Sequence, residues 1–406
     1  MNRIALIILY PLNLRKFDLE RWEIKFLQKS FILEIHEFHN LLNPNFVNAH
    51  KSQIVKNKKI FSFNSINTWK KHILLIKKKN KKIIVLNLLM KDKFYGIFIS
   101  LILKKLKIPR IDINIQGLPL LNDINKNLFR KYYNIIKNIT SKSSIYFAVI
   151  TYKIKVINFL IKLLDLVPNF ILIAGKNNLI NNNIYRNKRV IIENFSTADR
   201  SRYLRQFNCK KIIKGNYSVF LGEPGPYDPG DHLYLNIKNP LDYTYYDCLN
   251  NFFSDFEKIN KTEVVIASHP KAIAEKDSQY FNNRLAFYNK TNELVKNCKF
   301  VICFGSVSLS YALFHKKPVC FLYNSKLKFR SSSFIKQIKL FHKLIGGKLI
   351  DIDHYKKNEL FFISNSINLN KYTQFIKNYI SCRNDNKANH QIIEELIKKN
   401  QYLLWK

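Results

Sequence analysis

The sequence predicts two α/β domains that face each other across a cleft, each built on a parallel β-sheet with helices on both faces. Three observations support this fold class. A chain of 406 residues is long enough for two domains. Short apolar segments alternate with helix-like segments through both halves, as in parallel sheets. With 47% hydrophobic residues, the chain can fill two packed cores.

The first domain is predicted over residues 1–200. Its strands are expected at Ile4–Leu9, Phe31–Ile35, Lys59–Phe63, Lys82–Leu88, Arg110–Ile115, Phe170–Ala174 and Val190–Glu193. Helices are expected at Leu19–Gln28, Ile66–Ile76, Tyr95–Leu106, Leu128–Ile139 and Ile145–Leu166, and loops at His36–Pro44 and Asn177–Asn183. The strand at Lys82–Leu88 is apolar without alternation, which indicates that both of its faces are covered.

The second domain is predicted over residues 211–370. Its strands are expected at Tyr217–Leu221, Glu263–Ala267, Leu285–Tyr288, Phe300–Cys303, Pro318–Leu322 and Lys348–Ile352. Its clearest helices are expected at Tyr243–Ile259 and Ser306–His315. Residues 371–406 are predicted to be C-terminal helices that pack back on the first domain.

The formal net charge of +40 does not by itself indicate nucleic acid as a partner. The excess is mostly Lys spread along the whole chain, whereas a nucleic-acid surface is typically a local cluster with Arg and interleaved aromatics. The densest cluster, Lys77–Lys82, is interpreted as a solvated turn or as a contact to an anionic membrane surface. We therefore expect no nucleic acid as partner.

The cysteines and the apolar segments indicate a cytoplasmic protein. The six Cys show no metal-ligand spacing, and Cys298, Cys303 and Cys320 are predicted to be small core residues. No run of 18 uncharged apolar residues predicts a membrane-spanning helix. Ile145–Leu166 is interrupted by Lys and is interpreted as an amphipathic helix. It packs on the protein or lies on the inner face of the cytoplasmic membrane, and both alternatives stay open.

Two polar turns follow strands of the second domain, where ligands of open α/β sheets bind. His269, Pro270 and Lys271 follow the strand at Glu263–Ala267, and an imidazole there can donate to a phosphate and act as an acid toward it. A second polar turn, with Gly305, Ser306 and Ser308, follows the strand at Phe300–Cys303 and begins a predicted helix. The N-terminus of a helix is a typical phosphate site. Glu293 lies between the two turns and could accept hydrogen bonds from a ribose. These residues are also compatible with ordinary turns and caps.

The loop that follows Tyr217–Leu221 offers carboxylates for a general base. An inverting sugar transfer needs one carboxylate to take the proton of the acceptor hydroxyl. The candidates are Glu223, Asp228 and Asp231, and the sequence leaves the choice open. No DxD-type metal motif stands out in the sequence, so no metal is expected, and no cofactor other than the nucleotide-sugar donor.

The order of strand, His269-Pro270, Glu293 and Gly305-Ser306-Val307-Ser308 resembles the nucleotide-binding half of bacterial sialyltransferases and related Kdo transferases. The resemblance covers roughly Val219 to Leu322 and implies the two-domain GT-B fold. It also implies a CMP-sugar donor, with His269 and the Ser turn on its phosphate and Glu293 on its ribose. The acidic-acidic-Gly motif of those families has no clean copy here, since Glu223-Pro224-Gly225 matches it poorly.

The resemblance predicts an inverting, metal-independent glycosyltransferase that adds a sialic-acid-like sugar or Kdo to a surface glycan such as a capsule, lipooligosaccharide or O-antigen. Its expected partners are the donor and a glycan or lipid-linked glycan acceptor, with an anionic membrane surface as a further candidate. The alternatives are a GT-B transferase or epimerase that uses a UDP- or other nucleotide sugar, and a non-catalytic polysaccharide-assembly protein.

Overall fold

The computed structural model describes residues 4–42, 54–55, 57–89, 95–115, 119, 156–180, 189–223, 243–270, 272, 274–324, 332–361 and 367–405. Residues 4–115, 156–196 and 389–405 form a first compact unit, and residues 197–388 form a second. Each unit is built on its own all-parallel sheet with helices in its crossovers. The predicted fold class of two Rossmann-like units of GT-B type is confirmed.

The first unit contains a seven-stranded sheet in the order β3-β2-β1-β4-β5-β6-β7. Its strands are β1 Ala5–Tyr10, β2 Ile32–Glu37, β3 Ile60–Ser62, β4 Ile83–Asn87, β5 Arg110–Ile115, β6 Phe170–Ala174 and β7 Ile191–Phe195. Its helices are α1 Lys16–Arg21, α2 Ile24–Ser30, α3 His39–Leu42, α4 Ile66–Lys79, α5 Tyr95–Lys105, α6 at 156–163, and α7 Lys176–Ile180. Two C-terminal helices complete it, α15 Asn389–Lys399 and α16 Gln401–Leu404.

Alternation along the central strands divides the first core into two halves. Leu6 and Ile8 of β1 pack with α2 and α15, and we call α1, α2 and α15 the first helical layer. Ile7 and Leu9 point to the other face and pack with α4 and α5. The helix α6 packs beside α5 through Ile157. We call α4, α5 and α6 the second helical layer.

The C-terminal helices pack on the first helical layer. The carboxylate of Glu23 accepts hydrogen bonds from the backbone amide of His390 at 2.9 Å and from its Nδ1 at 2.5 Å. Ser30 donates to Glu394 at 2.7 Å, and the indole nitrogen of Trp405 donates to the carbonyl of Ile83. Residues far apart in sequence are thus joined by buried and half-buried polar contacts.

The second unit contains a six-stranded sheet in the order β10-β9-β8-β11-β12-β13. Its strands are β8 Tyr217–Leu221, β9 Glu263–Ser268, β10 Ala286–Tyr288, β11 Val301–Cys303, β12 Val319–Tyr323 and β13 Lys348–Asp351. Its helices are α8 Ala198–Arg205, α9 Tyr243–Asn260, α10 Ala274–Tyr280, α11 Thr291–Asn297, α12 Leu309–Phe314, α13 Ser332–Ile345 and α14 Leu369–Phe375. A 3-10 helix spans Lys357–Leu360, and α14 continues as a π-helix over Ile376–Ile380.

Cys298, Cys303 and Cys320 are buried in the second core as free thiols, as predicted. The burial of Ile83 to Leu86 in β4 likewise confirms a strand covered on both faces. Among the described residues, no helix combines the length and apolarity needed to cross a bilayer.

Four local predictions were wrong in detail. The helix expected at Leu19–Gln28 is split, because Glu23 adopts a left-handed conformation (φ 55°) while its carboxylate binds the C-terminal segment. The expected loop at His36–Pro44 begins inside β2 and contains α3. The expected loop at Asn177–Asn183 contains the end of α7, where Asn178 donates to the carbonyl of Ala174.

The fourth concerns the helix expected at Ser306–His315, which begins only at Leu309. The helix expected at Leu128–Ile139, and the Ile145 end of the one expected at Ile145–Leu166, lie outside the described residues.

Candidate functional site

The strand order of the second sheet reverses between β8 and β11, which is where ligands bind in doubly wound folds. Leu221 pairs with Ala267 of β9, and Phe220 pairs with Ile302 of β11. Continued past the strand ends, this register places Glu223 beside His269 on one side and Gly305 on the other. Neighbouring strands lie about 4.8 Å apart, so these three Cα atoms span roughly 10 Å.

Gly222 allows the close approach of two strands at this edge. Its amide donates to the carbonyl of Ala267 at 3.0 Å. A Cβ atom at Gly222 would lie 3.0 Å from that same oxygen and 3.5 Å from the amide nitrogen of His269. Because both contacts are with backbone atoms, a side chain here forces the edge apart.

The His-Pro turn is anchored at both of its residues. The carbonyl of His269 accepts from the amide of Ala272 at 2.8 Å, and the hydroxyl of Tyr288 donates to the carbonyl of Pro270. His269 and Pro270 are both partly exposed. The imidazole therefore stands on a fixed backbone at the edge and remains accessible from solvent. Lys271 lies outside the described residues.

Ser306 and Ser308 form a turn that precedes α12. The hydroxyl oxygen of Ser306 accepts from the amide of Ser308 at 3.3 Å, and both residues are partly exposed. The hydroxyl hydrogen of Ser306 can still be donated outward. Packing alone explains a glycine at position 305, because a Cβ there would lie 3.3 Å from the ring of Phe341.

Glu293 lies in the first turn of α11 and is buried. Its Oε1 pairs with the Lys290 ammonium at 3.2 Å, and its Oε2 has no hydrogen-bond partner among the residues that the structure describes. Such a carboxylate oxygen can still accept a hydrogen bond, and a buried acceptor without a donor costs about 1–3 kcal/mol of stability. Glu293 thus has the acceptor capacity that the sequence predicted, although it is set back from solvent.

Glu223 is the one base candidate among the described residues, and it is partly exposed. Asp228 and Asp231 lie outside them. Burial raises the pKa of the nearby Cys303 thiol well above its usual value, and the Glu223 carboxylate adds to that effect. Cys303 therefore stays a thiol at neutral pH and is not a nucleophile.

Sequence reasoning missed Asp277. This carboxyl group is buried in α10, next to Ser268 at the end of β9. Burial raises its pKa to about 6, and a hydrogen bond with Ser268 opposes the shift. An isolated Asp in a short polar helix carries no sequence signal that separates it from a surface residue.

A second polar cluster lies in the first unit. Within the described residues, Glu34, His36 and His72 are the one group close enough together to be tested as a metal site. Glu34 Oε2 lies 3.3 Å from His36 Nε2 and 3.1 Å from His72 Nε2. Burial opposes ionisation of Glu34, but the hydrogen bonds from both imidazoles outweigh it and lower its pKa.

The partner of His36 argues against a metal at this cluster. The indole N–H of Trp69 donates to His36 Nδ1 at 3.0 Å. An indole nitrogen can only donate, so Nδ1 is unprotonated and the proton lies on Nε2, facing Glu34. A metal bound at Nε2 would need the lone pair of Nε2, so the imidazole proton would move to Nδ1. The resulting Nδ1–H would then face the indole N–H of Trp69, and two donors cannot pair. We interpret the cluster as a hydrogen-bonded part of the core.

The fold and the edge between β8 and β11 define an α/β protein of GT-B type with a polar edge in its second unit. No protein-family model and no curated protein matches the chain. Solved structures with a similar fold include a UDP-GlcNAc 2-epimerase from Methanocaldococcus jannaschii (13% identity, TM-score 0.46, covering 97% of this chain and 100% of that one).

Two further similar structures are MurG from Acinetobacter baumannii (9% identity, TM-score 0.44, covering 98% and 99%) and UGT2 of Phytolacca americana (9%, 0.47, 98% and 99%). At these identities and scores the similarity concerns architecture alone, and no residue role is taken from it.

Proposed function

We propose that this chain is a glycosyltransferase that binds a nucleotide-sugar donor at the carboxyl edge of the second sheet. The observation that supports the proposal is the pairing of β9, β8 and β11 at the strand-order reversal, because His269, Glu223 and Ser306 follow the ends of these three adjacent strands. A span of roughly 10 Å fits a sugar nucleotide's phosphates and ribose.

Each residue then has a chemical role. His269 donates a hydrogen bond to the donor phosphate and protonates it as it leaves, because an imidazole titrates near neutral pH. Ser306 donates its hydroxyl hydrogen to the same phosphate. Glu293 accepts from a ribose hydroxyl. Glu223 takes the proton of the acceptor hydroxyl, and Asp228 and Asp231 remain alternatives for this base.

The sequence motif favours a CMP-activated sugar of the sialic-acid or Kdo class and a surface glycan as acceptor. The second candidate is a transferase or an epimerase that uses a UDP-sugar, since a span of roughly 10 Å also fits a diphosphate. UDP-GlcNAc and UDP are named with one similar structure, and UDP is accordingly part of the binding panel.

A nucleotide panel tests the site and the donor class together. We expect one of CMP, UDP and GDP to raise the unfolding temperature. At a hundredfold excess over its Kd, the bound nucleotide should add about 2.7 kcal/mol to the free energy of unfolding. Calorimetry then ranks the three nucleotides. His269→Ala should unfold at the temperature of the free wild type and lose most of the nucleotide response.

Product analysis separates the two candidates. An epimerase alters the sugar nucleotide without any acceptor, whereas a transferase releases the nucleotide only when an acceptor is present. The proposal fails if no nucleotide or sugar nucleotide stabilises the protein, or if His269→Ala binds the cognate nucleotide as the wild type does.

A further inference from the structure

The second helical layer of the first unit has an unusual charge composition. Its helices α4, α5 and α6 carry eight Lys and no Asp or Glu over their described lengths. The first helical layer carries six Lys or Arg and four Asp or Glu, a net charge of +2 from 6 − 4. The two layers cover opposite faces of one sheet, so the +8 of the second layer is a property of one surface and not of the chain as a whole.

The same layer exposes large apolar side chains. Leu75 of α4 is 56% exposed, Phe98 of α5 is 53%, and Phe159 and Leu163 of α6 are 63% and 65%. In contrast, α1, α2 and α15 expose no large hydrophobic residue, although α16, which packs on the same face through Leu404, exposes Tyr402 (72%) and Leu403 (56%). These four side chains are not needed for the core, which the other faces of their helices supply.

Apolar and basic side chains alternate on this surface. Phe159 and Leu163 are one helical turn apart, with the exposed Lys162 between them. Phe98 and the exposed Lys105 are two turns apart on α5 and share a face. Such an arrangement is typical of helices that lie in the interface of a bilayer, with the apolar side chains among the acyl chains and the Lys among the headgroups.

A basic cavity lies at one end of the layer. It has a volume of about 350 Å³ and is lined by the cationic residues Lys104, Lys107, Arg110 and Arg189. The single acid in its wall, Asp165, pairs with Lys104 and Arg189. The cavity is large enough for a phosphate headgroup.

We propose that the second helical layer is a docking surface for a membrane rich in anionic phospholipids. The proposal goes beyond the proposed function and does not rest on it. Nucleic acid fits this surface less well, because exposed Phe and Leu side chains gain little against a phosphate backbone. A second copy of the chain fits less well too, because two layers of charge +8 repel each other.

The experiment measures sedimentation of the full chain with vesicles of phosphatidylcholine alone or mixed equally with phosphatidylglycerol. We expect binding only to the mixed vesicles, weakened by salt. The triple variant Lys71→Gln, Lys105→Gln, Lys162→Gln removes one exposed cation from each helix. It should lower the partition coefficient by about a hundredfold, at about fivefold per Lys. Phe159→Ser with Leu163→Ser should lower it by more than about tenfold.

A matched variant on the opposite face is the control. Lys25→Gln, Lys398→Gln, Lys399→Gln removes the same charge from exposed positions of the first helical layer and should leave binding within about threefold, since exposed Lys far from the bilayer is screened. Equal losses in both triple variants overturn the proposal, because diffuse charge would then explain the binding. It also fails if the wild type ignores anionic vesicles. A dimer that Phe159→Ser with Leu163→Ser dissociates, without any vesicle binding, would assign the surface to a second copy.

Discussion

Six strands of the first sheet follow the same order as the six strands of the second, but the polar residues at the two carboxyl edges differ in burial. In the first unit, Glu37 at the end of β2 is buried and accepts from the amide of Leu14 at 2.6 Å and from the Ser62 hydroxyl at 2.7 Å. In the second unit, Glu223 and His269 remain partly exposed at the edge. Topology therefore locates two equivalent edges, and the polar side chains described at them differ in burial.

Replacement of Glu37 gives the largest expected effect on this contrast. Glu37→Ala leaves the Leu14 amide and the Ser62 hydroxyl without their acceptor and should destabilise the protein by about 3 kcal/mol. Urea unfolding measures the loss. Nucleotide binding in the second unit should stay unchanged.

Two further variants calibrate that result. Glu37→Gln keeps an acceptor for Leu14 and removes a carboxylate whose pKa is raised by burial, so its cost should be about 1 kcal/mol or less. Glu223→Ala should behave in the opposite way, with stability near that of the wild type and transfer activity lost. Equal destabilisation by Glu37→Ala and Glu223→Ala would show that the two edges are alike.

Replacement of Asp277 should give the next largest change in stability, and this change depends on pH. Its folded pKa of about 6 lies above the ordinary value of 3.8, so its contribution to stability falls as the pH rises between these values and is constant above them. Asp277→Asn should therefore stabilise the protein by about 3 kcal/mol at about pH 7.5 and by almost nothing at about pH 4. Urea titrations at both pH values measure this; a gain that is the same at both would contradict the raised pKa.

Gly222→Ala tests the close approach at the second edge. The new methyl group would lie 3.0 Å from the Ala267 carbonyl oxygen, and the strain should cost about 1–2 kcal/mol and weaken nucleotide binding. Gly96→Ala is the matched control. Among the described residues outside its own helical turn, no atom lies within 4 Å of a Cβ there, and in α5 the change should stabilise by up to about 1 kcal/mol. Thermal unfolding and nucleotide calorimetry on both variants distinguish strain from a general effect of Gly→Ala.

Ser306→Ala should have the smallest effect. It removes one hydroxyl donor and a long hydrogen bond from the Ser308 amide, so nucleotide binding should weaken about fivefold, or by about 1 kcal/mol, with stability nearly unchanged. Calorimetry measures the change. An unchanged Kd would remove Ser306 from the proposed site while leaving His269 in it.

The sequence predicted all thirteen described strands and the fold class, because buried parallel strands are short apolar runs that local pattern reveals. It also placed His269 and Ser306 at the ends of β9 and β11, since position after a strand is a local property. The role of the residues in a reaction stays a prediction.

Features that depend on distant contacts could not be predicted. The break at Glu23 needs His390, which lies more than three hundred residues away. The burial of Glu37 and Asp277 depends on packing that neither residue's neighbours in sequence reveal. The late start of α12 reflects a turn in which Ser306 accepts from Ser308, and the sequence allowed that turn and a longer helix equally.

The pairing of Glu23 with His390 also constrains how the protein is made. The first helical layer includes α15, which leaves the ribosome only after the whole second unit. One face of the first sheet, with Leu6 and Ile8, therefore remains incompletely covered while the whole second unit is synthesised. Because domains generally fold as they are made, the second unit can complete its fold before the first. A ribosome-bound chain that ends before Asn389 should accordingly expose a protease-sensitive first unit beside a protected second one.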